Sequence, residues 1–176
     1  MKRTILLTLF CAFLLCASGA LAAGLFQVGE KAPSFSLNTI AGEAVSLEAH
    51  KGKVVVLGLF HICEPCLIQG TALQKVHEAF TGKPVAVVGV NSSGNGAEAV
   101  QEFLAQFPVK VTYPYLLDPK KVTDTLYGGG KFIPNVYVVD QQGTIRWQRV
   151  GNMNLADEQV IIREVEKLLG GKPGAL

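Results

Sequence analysis

Two unbroken apolar runs constrain the fold of this chain more than any other feature. They are Val54-Val55-Val56-Leu57-Gly58-Leu59-Phe60 and the run from Val85 to Val90. Neither alternates apolar with polar residues, so a strand built from either is buried on both faces. A sheet covered on both faces needs helices, and the stretch between the runs is long enough to carry a crossover helix. The spacing predicts that helix over residues 63–80. Leu67, Leu73, Val76 and Phe80 share one face of it, and Thr81-Gly82-Lys83-Pro84 ends it.

The remaining pattern extends this reading. Phe35-Ser36-Leu37 alternates like a short strand, and Asn91 to Gly96 is a loop. Residues 97–107 form an amphipathic helix burying Val100, Phe103, Leu104 and Phe107. A strand over 113–117 and a short helix over 120–127 follow, closed by Gly128-Gly129-Gly130. No helix opens after those glycines, so they read as linkage and not as a phosphate cradle. Residues 132–140 and 144–150 make a hairpin across Gln141-Gln142-Gly143, and residues 157–169 the last helix. The order predicts an α/β sandwich with parallel central strands and right-handed crossovers.

The N-terminus carries Met1-Lys2-Arg3, an apolar core from Ile5 to Leu15, and Ala20-Leu21-Ala22. These are the three parts of a secretory signal over residues 1–22, leaving one domain over 23–176. No charge occurs from Thr4 to Gly29, so a second reading keeps residues 4–23 as an uncleaved membrane anchor. Leu15 stands where lipidation of Cys16 would call for a small residue. Both readings place the domain outside the cytoplasm, in a periplasmic or equivalent compartment. Removing Lys2 and Arg3 brings Lys and Arg level with the 14 acidic residues. A near-neutral domain argues against nucleic-acid binding, which needs a dense basic face.

Cleavage also removes Cys11 and Cys16, leaving Cys63 and Cys66. A pair this close cannot staple a fold, so it reads as a working dithiol in an oxidising compartment. At a helix N-terminus, unpaired N–H groups and the positive dipole end favour thiolate on Cys63. Cysteines so placed titrate at roughly 3.5–7.5 instead of about 8.5. Cys63 is the predicted nucleophile and Cys66 the resolving thiol. The bland alternative is half a zinc site or two structural thiols; zinc usually takes four ligands, and no second C-x-x-C occurs. The redox-active Cys63–Cys66 disulfide stands in place of any cofactor, and no metal site is assigned.

Neighbouring residues take supporting places. Pro65 suits the first helical turn, where no amide donor is needed. Glu64 either tunes the pair or is simply solvated. His61 has three readings: a positive charge favouring thiolate, a third metal ligand, or a polar loop residue. His50 and His77 read as loop and helix-surface residues. Phe60 and Ile62 read as an apolar rim for a docking partner or as core.

The chain resembles the thioredoxin-fold thiol–disulfide oxidoreductases of the TlpA/ResA type, within the AhpC/TSA–redoxin superfamily. The residues that carry the resemblance are Val28-Gly29-x-x-Ala32-Pro33-x-Phe35-x-Leu37, Gly42-x-x-Val45-x-Leu47, and Lys51-Gly52-Lys53 leading through the first apolar run to Cys63-Glu64-Pro65-Cys66. Ile133-Pro134, Val136 to Asp140, and Gly143 complete them. The resemblance implies a three-layer thioredoxin-like sandwich around a mixed sheet. It implies a cis bond before Pro134, with Ile133 presenting its backbone to a substrate. It implies protein thiols and disulfides as partners, reducing equivalents from a membrane thiol transporter, and a reductant's part in cytochrome c maturation. Three departures bear on tuning. Ile62 stands where relatives carry Trp, and the only tryptophan is Trp147. Leu57 and Gln69 stand where relatives carry carboxylates. Two alternatives remain from other classes. One is a peroxiredoxin-type peroxidase, against which Phe60 replaces that family's Thr. The other is a metal-binding or non-catalytic thioredoxin-like module using His61, Cys63 and Cys66.

Overall fold

The computed structural model describes residues 28–128 and 133–170. The predicted signal or anchor, Gly129, Gly130 and the start of a strand at Phe132 lie outside them. Seven strands form one mixed sheet in the order β2-β1-β5-β4-β3-β6-β7. The strands are β1 (Ser36–Thr39), β2 (Ala44–Ser46), β3 (Val54–Phe60), β4 (Val85–Asn91), β5 (Tyr115–Leu117), β6 (Asn135–Val139) and β7 (Ile145–Val150). The helices are α1 (Glu64–Ala79), α2 (Ala97–Leu104), α3 (Val122–Leu126) and α4 (Leu155–Leu168). β3 pairs in parallel with β4, and β4 with β5, while β6 lies antiparallel on the other side of β3.

The continuous apolar run explains the central place of β3. All seven of its residues are buried, and successive side chains leave by opposite faces. Val54, Val56 and Phe60 enter one hydrophobic cluster with Leu73 and Val76 of α1, Phe103 of α2, and Ile161 and Val165 of α4. Val55, Leu57 and Leu59 enter a second, closed by Phe35 from the leader and Tyr127 after α3. Covering both faces of β3 places its C-terminal end, and the cysteines beyond it, between two packed layers.

Several elements are shorter than the pattern predicts. α2 stops at Leu104, yet Phe107 is still buried, edge-on to Phe103 with ring centroids 5.2 Å apart. Periodic burial therefore continues past the helix into the turn before Pro108. β5 begins at Tyr115 because Pro114 interrupts the strand predicted from Tyr113. β2, which pairs Val45 with Leu37, is too short for a periodicity to reveal. α4 starts earlier than predicted because Asn154 caps it: Ala156 N–H donates to Asn154 Oδ1 (2.8 Å) and Asn154 N–H to Asp157 Oδ2 (2.7 Å). Among the described residues, no helix is long and apolar enough to cross a membrane.

Asp140 fixes the β6–β7 turn. Its carboxylate accepts from Gln142 N–H (2.9 Å), Thr144 N–H (2.8 Å) and Arg146 Nε (2.6 Å). Burial pushes its pKa up, but the Thr144, Arg146 and Gln142 hydrogen bonds and the Arg146 charge outweigh burial and hold it below the usual value. A depressed carboxyl stabilises the fold above its unfolded pKa of about 3.9 and loses that contribution as pH falls through the folded value. Asp140→Ala is expected to cost about 1–3 kcal/mol at neutral pH. Urea unfolding checks this, and the gap from wild type should narrow as pH falls below about 4; a constant gap across pH would refute the carboxylate's part.

Candidate active site at the start of helix 1

β3 ends at Phe60, and His61-Ile62-Cys63 carries the chain into α1. Cys63 is the N-cap, with extended backbone (φ −155°, ψ 153°). Glu64 and Pro65 open the helix, so the proline's missing donor costs no intrahelical bond. The Cys66 N–H donates to the Cys63 carbonyl at 3.1 Å. The two cysteines are joined as a disulfide, with Sγ–Sγ 2.14 Å and Cα–Cα 5.2 Å. Their exposure differs: Cys66 is 0% exposed, whereas Cys63 is only half-buried. Cys63 is thus the more exposed residue of the pair.

The second wall of the site is the start of β6. The Ile133–Pro134 peptide is cis. Ile133 packs against the same hydrophobic cluster that includes Cys63 and Cys66. Pro134 is buried, and its carbonyl accepts from Gly151 N–H at 2.8 Å. Gln69, fully buried on α1, ties helix to strand: its Nε2 donates to the Asn135 carbonyl at 3.0 Å. A polar chain runs on from there. Asn135 Nδ2 donates to the Tyr137 hydroxyl (2.8 Å), which donates to the Tyr127 carbonyl (3.3 Å). The Tyr127 hydroxyl donates to the Pro33 carbonyl (2.5 Å). Burial pushes the Tyr137 hydroxyl up to about 12 despite the Asn135 bond, so it stays protonated as a donor.

His61 has a partner that the pattern did not reveal. Its Nε2 lies 3.5 Å from Asp124 Oδ1 on α3. When protonated, His61 therefore shares its charge with that carboxylate. Asp124 carries no sequence signal, because only the fold brings α3 to the end of β3. Phe60 and Ile62 part company: Phe60 is fully buried, whereas Ile62 is 41% exposed beside Cys63. Glu64 faces solvent. Leu57 is sealed in the second cluster, and Trp147 lies partly buried in the hairpin. His50 and His77 are half-buried and stand away from this group; burial, then the Lys53 charge, depresses the His50 pKa. Among the described residues, no cluster of three or more His, Cys, Asp or Glu side chains is placed to hold a metal ion.

Comparison with known proteins agrees with this geometry. The AhpC/TSA family model matches residues 28–148. A thioredoxin-like protein, YneN, of Bacillus subtilis is 35% identical over 130 residues, covering 72% of this chain and 74% of the relative. The sporulation thiol-disulfide oxidoreductase A of the same organism is 28% identical over 137 residues, covering 74% and 81%. The crystal structure of a putative thiol:disulfide interchange protein DsbE from Chlorobium tepidum superposes with a TM-score of 0.72 at 30% identity, covering 84% of this chain and all of that one.

Proposed function

Because the chain belongs to the AhpC/TSA family, with a thioredoxin-like fold and a C-x-x-C disulfide at the head of α1, we propose that it is an extracytoplasmic thiol–disulfide oxidoreductase that reduces client proteins, as in cytochrome c maturation. The observation that carries the reading is the disulfide between a half-buried Cys63 and a fully buried Cys66, at a helix N-terminus. In the reducing direction, the Cys63 thiolate attacks one sulfur of a client disulfide, and the other client sulfur leaves as thiolate. Cys66 then loses its proton and attacks Cys63 Sγ as thiolate. The Cys63–Cys66 bond forms, the mixed disulfide breaks, and the Cys66 proton ends on a client sulfur. Two electrons have passed to the client.

The Ile133 backbone, just before Pro134, serves as a short β-edge for the client. Ile62 offers exposed apolar surface next to Cys63. His61 stands two residues before Cys63, with its Nε2 3.5 Å from Asp124 Oδ1. Residues 1–22 act as the export signal, or residues 4–23 as an anchor. A membrane thiol transporter reduces the Cys63–Cys66 disulfide again.

The direction of electron flow is tested by the reduction potential in glutathione buffers. A reductant is expected near thioredoxin's value of about −270 mV. A value near about −120 mV, that of a strong oxidant, would overturn the reductant role while leaving the chemistry intact.

A further inference from the structure

Gln69 holds a buried polar atom that the oxidised site leaves unused. The side chain is fully buried, and its orientation is determined by its one partner. The Asn135 carbonyl can only accept, so the Gln69 nitrogen must face it. Oε1 then points the other way, and it has no hydrogen-bond partner among the described residues. A buried carbonyl without a donor is unfavourable. One turn to either side on α1, the side chains that share this face are Pro65, Cys66, Ala72 and Leu73. Only Cys66 can carry a polar hydrogen, and only after the disulfide is reduced.

We propose that the Gln69 side-chain carbonyl accepts a hydrogen bond from the Cys66 thiol in the reduced protein, making Gln69 the positioning residue of the resolving sulfur. This rests on the reading of Cys66 as the resolving thiol, and it holds whichever way electrons flow. Two electrons and two protons convert the disulfide to two thiols. The Cys66 S–H so formed supplies the donor that Oε1 lacks. An amide does not take the proton, so Cys66 rests as a neutral, hydrogen-bonded thiol; it gives up that proton, which ends on the client thiolate already released, and then attacks as thiolate. Since the acceptor is satisfied only after reduction, Gln69 stabilises the reduced form relative to the disulfide. The Asn135 bond lies on the other side of the amide and is common to both states.

The test compares wild type with Gln69→Met, which has similar volume but neither donor nor acceptor. In glutathione buffers the reduced-to-oxidised ratio is expected to fall about fivefold, ~20 mV by the two-electron relation of about 30 mV per tenfold. A merely structural role would weaken both redox states equally and leave that ratio unchanged. Should Gln69→Met not fold, the infrared S–H stretch decides: the reduced wild-type minus Cys66→Ala difference spectrum is expected to show a band lowered by hydrogen bonding. An unshifted free-thiol band, or an unchanged ratio in Gln69→Met, would overturn the assignment alone. A Cys63–Cys66 pair that does not exchange with glutathione at all would overturn the proposed function with it.

Discussion

In the Cys66→Ala variant, Cys63 is expected to accumulate as mixed disulfides with client proteins, whereas Cys63→Ala accumulates none. The reason lies in the unequal burial of the two sulfurs. Cys63 is half-buried at the helix N-terminus, beside the exposed Ile62, while Cys66 is sealed beneath it. Exchange needs an accessible sulfur for the first bond and a close second sulfur to break it. Without Cys66 the second step waits on an outside thiol, so adducts persist. Without Cys63 the remaining thiol is out of a client's reach. Turnover of a disulfide substrate should fall by on the order of 10³ or more in either variant, since the sulfurs act as a unit. Acid quenching followed by non-reducing electrophoresis distinguishes them. Equal adducts in both variants, or none in Cys66→Ala, would refute the assigned order of attack.

The central layer of the fold is legible in the sequence because burial on both faces leaves no freedom in composition. Val54 to Phe60 and Val85 to Val90 tolerate no charge, and both are the predicted strands. The helix between them follows from its periodicity, and Cys63-Glu64-Pro65-Cys66 carries its own chemical meaning. What the sequence conceals depends on contacts far apart in the chain. Asp124 meets His61 only because α3 folds back to the end of β3. Gln69 is visible as a departure from relatives that carry a carboxylate, but its bond to Asn135 spans 66 residues. The early start of α4 is a different case. Its Asn154/Asp157 capping box was present in the sequence, yet the apolar spacing drew the predicted boundary to Asp157 itself.

A large stability effect away from the sulfurs is expected at Gly58. Gly58 of β3 and Gly89 of β4 are register partners, so two side chains are missing side by side on one face of the sheet. That slot is filled by aromatic and aliphatic groups. A Cβ at Gly58 would lie 2.5 Å from Leu73 Cδ1 and 2.7 Å from Phe60 Cε2; one at Gly89 would lie 2.8 Å from Tyr113 Cε2 and 2.9 Å from Tyr115 Cδ2. Phe60 and Tyr115 already stand with centroids 5.5 Å apart, and Leu73 is fully buried on α1. An interior packed this closely cannot absorb a methyl group by a small shift. Gly58→Ala must therefore push α1 away from β3 or force Phe60 and Leu73 from their rotamers, at about 1–3 kcal/mol. The displaced helix carries Cys63 and Cys66 at its first turn, and Phe60 leads directly into the same loop. Loss of stability should therefore appear together with slower disulfide exchange at temperatures where the variant remains folded. Urea unfolding and insulin reduction on the same preparation measure the two. Wild-type stability in Gly58→Ala would mean that this slot holds room the structure does not show.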